Sequence, residues 1–100
     1  MNLHPMKLVT IVVEALARER ITTLLAEVGA HGYTLFSVEG AGATGRRIGD
    51  IEEFANIQVE VVLRPEAAER LLARLGEEVL PRFALVTYES DIRVLRAEKF

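Results

Sequence analysis

Residues 33–63, YTLFSVEGAGATGRRIGDIEEFANIQVEVVL, contain two strand patterns separated by a glycine-rich stretch. The first strand is expected over residues 33–39, where aromatic and β-branched residues predominate. The second is expected over residues 57–63, where apolar residues alternate with Gln58 and Glu60, as in a strand with one buried face. The 17 residues between them, 40–56, hold four of the chain's seven glycines. This stretch is too long for an ordinary hairpin turn, and structureless loops of this length tend to be either functional or disordered.

A strand and a helix are expected before this pair. Residues 7–14, KLVTIVVE, are nearly all apolar and rich in β-branched side chains, which favours a buried strand. In residues 16–28, apolar side chains recur at helical spacing at Ile21, Leu24, Leu25 and Val28, so they share one helical face. Gly29 then supplies a helix end.

A second helix and strand are expected after the pair. Pro65 suits the first turn of a helix, where its missing N–H costs nothing. The apolar stripe of this helix comprises Ala68, Leu71, Leu72, Leu75 and Val79. Residues 83–88 predict a fourth strand, and DIRVLR, at 91–96, allows a short fifth. The resulting order, βαββαβ, predicts an α+β ferredoxin-like fold in which two helices cover one face of an antiparallel sheet.

The length of 100 residues favours one domain over residues 1–100. We expect residues 1–6 to be disordered, residues 40–56 to form the long loop and residues 89–100 to form a C-terminal tail. The sheet face without helices keeps apolar residues such as Val62, and such a face usually finds a partner. A homo-oligomer with inward-facing sheets is therefore expected.

Composition excludes several classes of protein. Twelve basic and fifteen acidic residues give a net charge of −3, which argues against a general nucleic-acid binder. The absence of cysteine excludes disulfides and thiolate-ligated zinc. No apolar run approaches the roughly 20 residues that span a bilayer. We expect a cytoplasmic protein without membrane insertion and, since no catalytic arrangement of side chains stands out, one that is not an enzyme.

The glycine-rich stretch is the strongest candidate site. Gly40, Gly42 and Gly45 spell GxGxxG, but no helical pattern follows, as a dinucleotide-binding fold requires. Main-chain N–H groups of such a stretch can form a concavity for an anion, and Arg46 and Arg47 follow immediately. A solvated loop with two exposed arginines is the open alternative. Acidic residues at 50, 52 and 53 and the isolated histidines at 4 and 31 are weaker metal candidates.

The order of elements, with the position of the long loop, resembles the PII signalling family. The segments that carry the resemblance are KLVTIVVE, GAHGYT, VEGAGATGRR, NIQVEVVL and RFALVTYESDIRVLR. The chain is most similar to the PII-like branch associated with bicarbonate transport and carboxysomes. The resemblance implies a homotrimer that binds adenine nucleotides in the clefts between subunits, and residues 40–56 would be the family's T-loop.

The resemblance also implies a set of nucleotide-binding residues. One subunit would supply Gly40, Gly42, Arg46, Arg47, Glu60 and Val62, its neighbour would supply Gly32, Tyr33 and Thr34, and Arg82, Phe83 and Ala84 would replace the family's B-loop. Gly45, Arg46 and Arg47 would form the anion site for bicarbonate. Arg96 would lie near the position of a phosphate-binding arginine.

Positions where this chain departs from the family pattern make the expected ligands more specific. The B-loop segment, LPRFALV, has neither glycine nor lysine, so ADP or AMP is expected to bind better than ATP. Residues 40–56 contain no tyrosine for uridylylation, and Thr44 stands near the place of the glutamine that helps to bind 2-oxoglutarate. The expected protein is a nucleotide sensor that signals through T-loop ordering to a bicarbonate transporter or a carboxysomal protein. The alternative is a trimeric ferredoxin-like protein that binds a metal or small ligand, similar to copper-tolerance proteins, although such proteins do not explain the Gly-Arg-Arg at 45–47.

Overall fold

The structure, a computed structural model, describes residues 1–42, 45–46 and 55–100. In chain order the elements are β1 (His4–Glu14), a 3₁₀ turn (Ala15–Ala17), α1 (Arg18–Glu27), β2 (Thr34–Val38), β3 (Ala41–Gly42), β4 (Gly45–Arg46), β5 (Asn56–Leu63), α2 (Pro65–Arg74), a π-helical turn (Leu75–Val79), β6 (Leu85–Val94) and a 3₁₀ turn (Ala97–Lys99).

The main sheet has the strand order β2-β5-β1-β6, and every neighbouring pair is antiparallel. Both helices connect strands that are not adjacent in this order, and their buried residues belong to one core with the sheet. The two-residue strands β3 and β4 pair separately, at the base of the long loop. This arrangement confirms the ferredoxin-like βαββαβ fold.

The core lies between the helices and one face of the sheet. The sheet contributes Val9, Ile11, Val13, Ile57, Val59, Val61 and Leu63, while the helical segments contribute Ile21, Leu24, Leu25, Leu71, Leu75 and Val79. Each of these side chains is at most 4% exposed. The alternation in β5 therefore agrees with the sequence prediction, because successive strand residues point to opposite faces.

Both helices begin or end at the residues that the sequence singles out. Gly29 adopts φ +84°, and Ala30 N donates to Leu25 O at 2.9 Å while Gly29 N donates to Ala26 O at 3.1 Å. These two hydrogen bonds form a Schellman motif, which favours glycine because its left-handed conformation is strained for other residues. Pro65 occupies the first turn of α2.

The opposite face of the sheet, here called the open face, carries alternate residues of all four strands. The register places Thr10 beside Glu60 and Tyr88, and Val12 beside Gln58 and Val86. Three of its apolar side chains are well exposed: Phe36 at 39%, Val86 at 51% and Tyr88 at 51%. The expectation of an uncovered, partly apolar sheet face is confirmed.

Two boundaries differ from the sequence predictions. Strand β1 begins at His4, so the expectation of disorder over residues 1–6 is wrong for residues 4–6. Strand β6 runs on to Val94, so the first half of the expected tail belongs to it and DIRVLR forms no separate strand. The two strands extend each other. A continuous antiparallel ladder runs from the His4–Val94 pair to the Val13–Leu85 pair, so each strand provides main-chain hydrogen-bond partners for the other.

Within the described ranges, no helix is long and apolar enough to cross a membrane.

Candidate functional site

Strand directions divide the candidate residues between two ends of the sheet. The loop end is where β1 and β2 finish and β5 and β6 start, at Glu14, Val38, Asn56 and Leu85. The tail end is where β1 and β2 start and β5 and β6 finish. Strand β2 has five residues at about 3.4 Å per residue, so the two ends lie about 14 Å apart along it.

Three candidate residues lie at the tail end. Gly32 and Tyr33 precede β2 and Thr34 begins it, and all three are exposed. Thr34 pairs with Glu60, which pairs in turn with Thr10, so the Thr34 and Glu60 side chains share the open face. Val62 lies two residues beyond Glu60, and both side chains are half-buried. Glu60 and Val62 therefore lie with the tail-end group on the open face, whereas the resemblance assigns them to the same half of the pocket as Gly40 and Gly42.

The glycine-arginine group lies at the loop end. Ala41 pairs with Arg46 and Gly42 pairs with Gly45, so the start of the loop forms a short antiparallel ladder just beyond β2. Gly40 is exposed, and a Cβ atom added there would meet no atom within 4 Å. The space beside Gly40 is therefore open. The prediction for Arg47, and the interpretation of Thr44, concern positions outside the described residues.

The segment 82–84 also lies at the loop end, immediately before β6. Its main-chain donors are all occupied: Arg82 N and Phe83 N both donate to Val79 O, at 2.9 and 3.0 Å. Ala84 N donates to Glu14 Oε1 at 2.5 Å. The Phe83 side chain packs against the core, whereas Arg82 is exposed. Of this segment, the Arg82 side chain is therefore the group available to an anion.

Glu14 is a residue that the sequence interpretation treated only as the end of a strand. Its position follows from the register, because Val13 pairs with Leu85 and Ala84 comes next to Glu14. The carboxylate is half-buried and accepts a hydrogen bond from a residue 70 positions away in the chain. No local pattern could have indicated this contact.

A second long-range contact holds residues 97–100 at the tail end. Arg64 donates through Nη2 to Ala97 O and through Nε to Phe100 O, both at 3.1 Å. His31 Nδ1 lies 3.0 Å from Lys99 O. Arg64 follows β5 and His31 precedes β2, so the chain leaves β6 at one edge of the sheet and is fixed near the other. The nearby candidate Arg96 forms an exposed ion pair with Glu98, with 3.5 Å between Nε and Oε1.

Further ion pairs lie on the helical side and near β6. Arg74 binds Glu78 through Nε and Glu27 through Nη2, both at 2.7 Å. The hydrogen bond from Arg74 lowers the pKa of Glu78, and its acidic partners raise the pKa of Arg74. Lys7 Nζ lies 2.6 Å from Asp91 Oδ1, a hydrogen bond that raises the pKa of Lys7.

Among the described residues, no group of three or more His, Asp or Glu side chains is placed to hold a metal ion. The weaker candidate His4 lies in β1, and His31 is occupied by the contact with Lys99. The acidic residues at 50, 52 and 53 lie outside the described ranges.

Comparison with known proteins points to one family. The family model of the nitrogen regulatory protein P-II matches residues 6–99. A search of curated proteins gives no match. A PII-like signaling protein from Thermus thermophilus is similar in structure with a TM-score of 0.86 and 41% identity, and the match covers 100% of this chain and 99% of that one.

CPII, a nitrogen regulatory PII-like protein from Thiomonas intermedia, is also similar. Its structure bound to ADP, AMP and bicarbonate has a TM-score of 0.90 at 29% identity, covering 99% of this chain and 96% of CPII. The structure bound to ADP and bicarbonate has a TM-score of 0.89 at 29% identity, with 99% and 97% coverage. Because the family model spans nearly the whole chain and the fold agrees throughout, this protein belongs to the PII family of regulatory proteins and is PII-like.

Proposed function

We propose that this protein is a regulatory sensor of ADP and AMP that takes bicarbonate as a co-ligand. The observation that carries the proposal is the likeness along the whole chain to CPII, whose structures contain ADP, AMP and bicarbonate. Family membership supports a regulatory rather than a catalytic role.

The nucleotide would bind in a cleft between two subunits of a homotrimer. Gly32, Tyr33 and Thr34 lie at the opposite end of the sheet from Gly40, Gly42, Arg46 and the 82–84 segment, so a single chain offers two half-sites rather than one pocket. A neighbouring subunit would bring the tail end of its sheet against the loop end of this one. The open face, with Phe36, Val86 and Tyr88 exposed, supports association through the sheets.

The phosphates would lie at the loop end. Main-chain N–H groups near Gly40 to Gly45, with the guanidinium groups of Arg46, Arg47 and Arg82, offer charge-assisted hydrogen bonds to phosphate oxygens. Bicarbonate would share Gly45, Arg46 and Arg47. If both ligands favour the same ordered state of residues 40–56, each ligand tightens the binding of the other.

ATP would bind less tightly than ADP or AMP. The donors of the 82–84 segment are already bonded within the chain, two to Val79 O and one to Glu14, so they are not available to a terminal phosphate. The segment also lacks lysine. A third phosphate would therefore add negative charge at the 82–84 segment, where few hydrogen-bond donors are free to bind it.

Ordering of residues 40–56 would be the output of the sensor. By analogy with its branch of the family, the partner would be a bicarbonate transporter or a carboxysomal protein in the cytoplasm, and the process under control would be inorganic-carbon uptake or carboxysome function.

Isothermal titration with AMP, ADP and ATP, each with and without bicarbonate, tests the proposal. We expect ADP and AMP to bind more tightly than ATP and bicarbonate to raise the affinity for ADP. Arg47→Ala should weaken ADP binding about tenfold, since a hydrogen bond to a charged group is lost. Failure of the wild-type protein to bind any adenine nucleotide would reject the function, and equal ADP affinities with and without bicarbonate would reject the co-ligand.

A further inference from the structure

We propose that Glu14 determines how many phosphates the site accepts, and that it does so by placing a carboxylate where the terminal phosphate of a longer nucleotide would go. The inference rests on the proposed nucleotide site and identifies a specificity residue within it. Glu14 is not among the residues that the family resemblance implies.

The first argument is position. Glu14 is the last residue of β1 and pairs with Asn56, the first residue of β5, which pairs in turn with Val38, the last residue of β2. Ala84 lies on its other side, just before β6. The Glu14 carboxylate therefore lies in the final row of the open face, between Asn56 at the end of the long loop and Ala84 of the 82–84 segment. Any phosphate bound between the loop glycines and the 82–84 segment approaches this row.

The second argument is the hydrogen bond. Glu14 Oε1 accepts from Ala84 N at 2.5 Å, so the main-chain donor just before β6 is already satisfied by a carboxylate. Hydrogen bonds to an ionised acceptor are stronger than neutral ones. A phosphate oxygen could take this N–H only by displacing the carboxylate, which would leave a half-buried negative charge beside another anion.

The third argument is electrostatic. Like charges repel most strongly where solvent is partly excluded, and Glu14 is half-buried even in the single chain. The positive charge offered by the segment is the exposed side chain of Arg82. If the phosphate chain runs from the loop donors towards the 82–84 segment, a longer chain would come closer to Glu14, which is hydrogen-bonded to Ala84 in that segment. The Glu14 carboxylate thus penalises ATP more than ADP, and ADP more than AMP.

Two variants separate the charge of Glu14 from its hydrogen bond. Glu14→Gln keeps an oxygen that can accept from Ala84 N but removes the charge, whereas Glu14→Ala removes both. Glu66→Gln is the matched control, because it removes one exposed carboxylate at the start of α2, at the tail end of the sheet. Dissociation constants for AMP, ADP and ATP are measured for the wild type and all three variants by isothermal titration.

The expected result is that Glu14→Gln lowers the ratio of the ATP to the ADP dissociation constant about tenfold, mainly by tightening ATP. Glu14→Ala should lower it at least as much, while Glu66→Gln keeps the wild-type ratio. Raising the salt concentration should shrink the ratio in the wild type and leave it nearly constant in Glu14→Gln, because salt screens charge. A purely structural role of Glu14 would not produce this difference in salt response.

The outcomes separate this proposal from the function on which it rests. If the wild type prefers ADP and both Glu14 variants keep its ratio, the nucleotide-sensing function stands and the role of Glu14 is rejected. If the wild type binds ATP most tightly, the role of Glu14 and the expected ligand preference are both rejected. If no adenine nucleotide binds to the wild type, the proposed function fails, and the specificity role fails with it.

Discussion

The guanidinium of Arg64 donates to the main-chain oxygen of Ala97 at 3.1 Å, and so joins the start of α2 to the segment that follows β6. The same side chain binds Phe100 O, and His31 contacts Lys99 O from the turn before β2. All three contacts lie at the surface and hold a short segment whose ordering costs conformational entropy. The docked position of residues 97–100 therefore depends on these two side chains.

Arg64→Ala should release this segment. Removing two of the three hydrogen bonds leaves too little to offset the entropy of ordering residues 97–100, so their NMR order parameters should fall to below about 0.6 while those of β6 stay high. Arg18→Ala, which removes an exposed arginine at the loop end, is the control and should change neither. Unchanged order parameters in Arg64→Ala would show that other contacts hold the segment.

A cross-subunit site predicts complementation between variants. Gly32→Trp should block the tail-end half-site, and the position is open, because a Cβ at Gly32 meets no atom within 4 Å. Arg82→Glu should disable the loop-end half-site. Each variant alone should bind ADP at least tenfold more weakly, because losing one charge-assisted hydrogen bond, or contacts of similar strength, weakens binding by about that factor.

Mixed trimers refolded from both variants should regain part of the wild-type ADP binding, since some clefts then combine two intact halves. Trimers refolded from either variant alone provide the control. If the mixture binds no better than its components, the two half-sites do not meet across an interface.

The open face predicts a variant that dissociates the oligomer. Val86→Asp places a charge on a side chain that is 51% exposed in the single chain and neighbours Val12. Burying that carboxylate in an interface is costly, so the particle mass in sedimentation velocity should fall to a third of the wild-type value. Leu80→Asp, which changes another exposed apolar residue outside this face, should remain trimeric. A trimeric Val86→Asp protein would place the interface elsewhere.

The Arg74–Glu78 pair predicts a specific acid sensitivity. Hydrogen bonding to Arg74 lowers the pKa of Glu78 in the folded state, so the charged form stabilises the fold above the unfolded pKa, and this contribution is lost as the pH falls through the folded pKa. Glu78→Gln should therefore melt about 1–3 °C below the wild type at pH 7, because surface ion pairs contribute little.

That difference should shrink as the pH falls below the ordinary glutamate value of about 4.3. Glu69→Gln removes an exposed carboxylate from α2 and is the matched control for loss of charge. A difference in melting temperature that stays constant down to acid pH would contradict the role of this pair.

The helical layer predicts a large packing effect at Leu71. This side chain is 0% exposed between α2 and the sheet, so Leu71→Ala should lower the free energy of unfolding by about 2–5 kcal/mol. Leu80→Ala, at a position that is 57% exposed, should change it by less than about 0.5 kcal/mol. Chemical denaturation at a fixed protein concentration measures both, because oligomerisation would make stability concentration-dependent. Equal effects at the two positions would contradict the assigned core.

Much of the fold follows from local rules. The alternation of residues 57–63, the helical spacing of Ile21, Leu24 and Leu25, Pro65 as a helix start and Gly29 as a helix end each act over a few residues. Their order along the chain leaves few topologies, and the ferredoxin-like arrangement is one of them. The glycine-arginine motif likewise marks a candidate anion site within ten residues of sequence.

The sequence by itself determined the elements, their order, the face that each buries and the apolar character of the open face, because these depend on periodicity and near neighbours. Only the tertiary structure decided the extension of β1 back to His4, which needs Val94 as its partner. It also decided that Glu14 meets Ala84 and that Arg64 meets Ala97. These contacts join residues that are 70 and 33 positions apart in the chain. Such residues become neighbours only when the strands pair, so no local sequence pattern indicates the contacts.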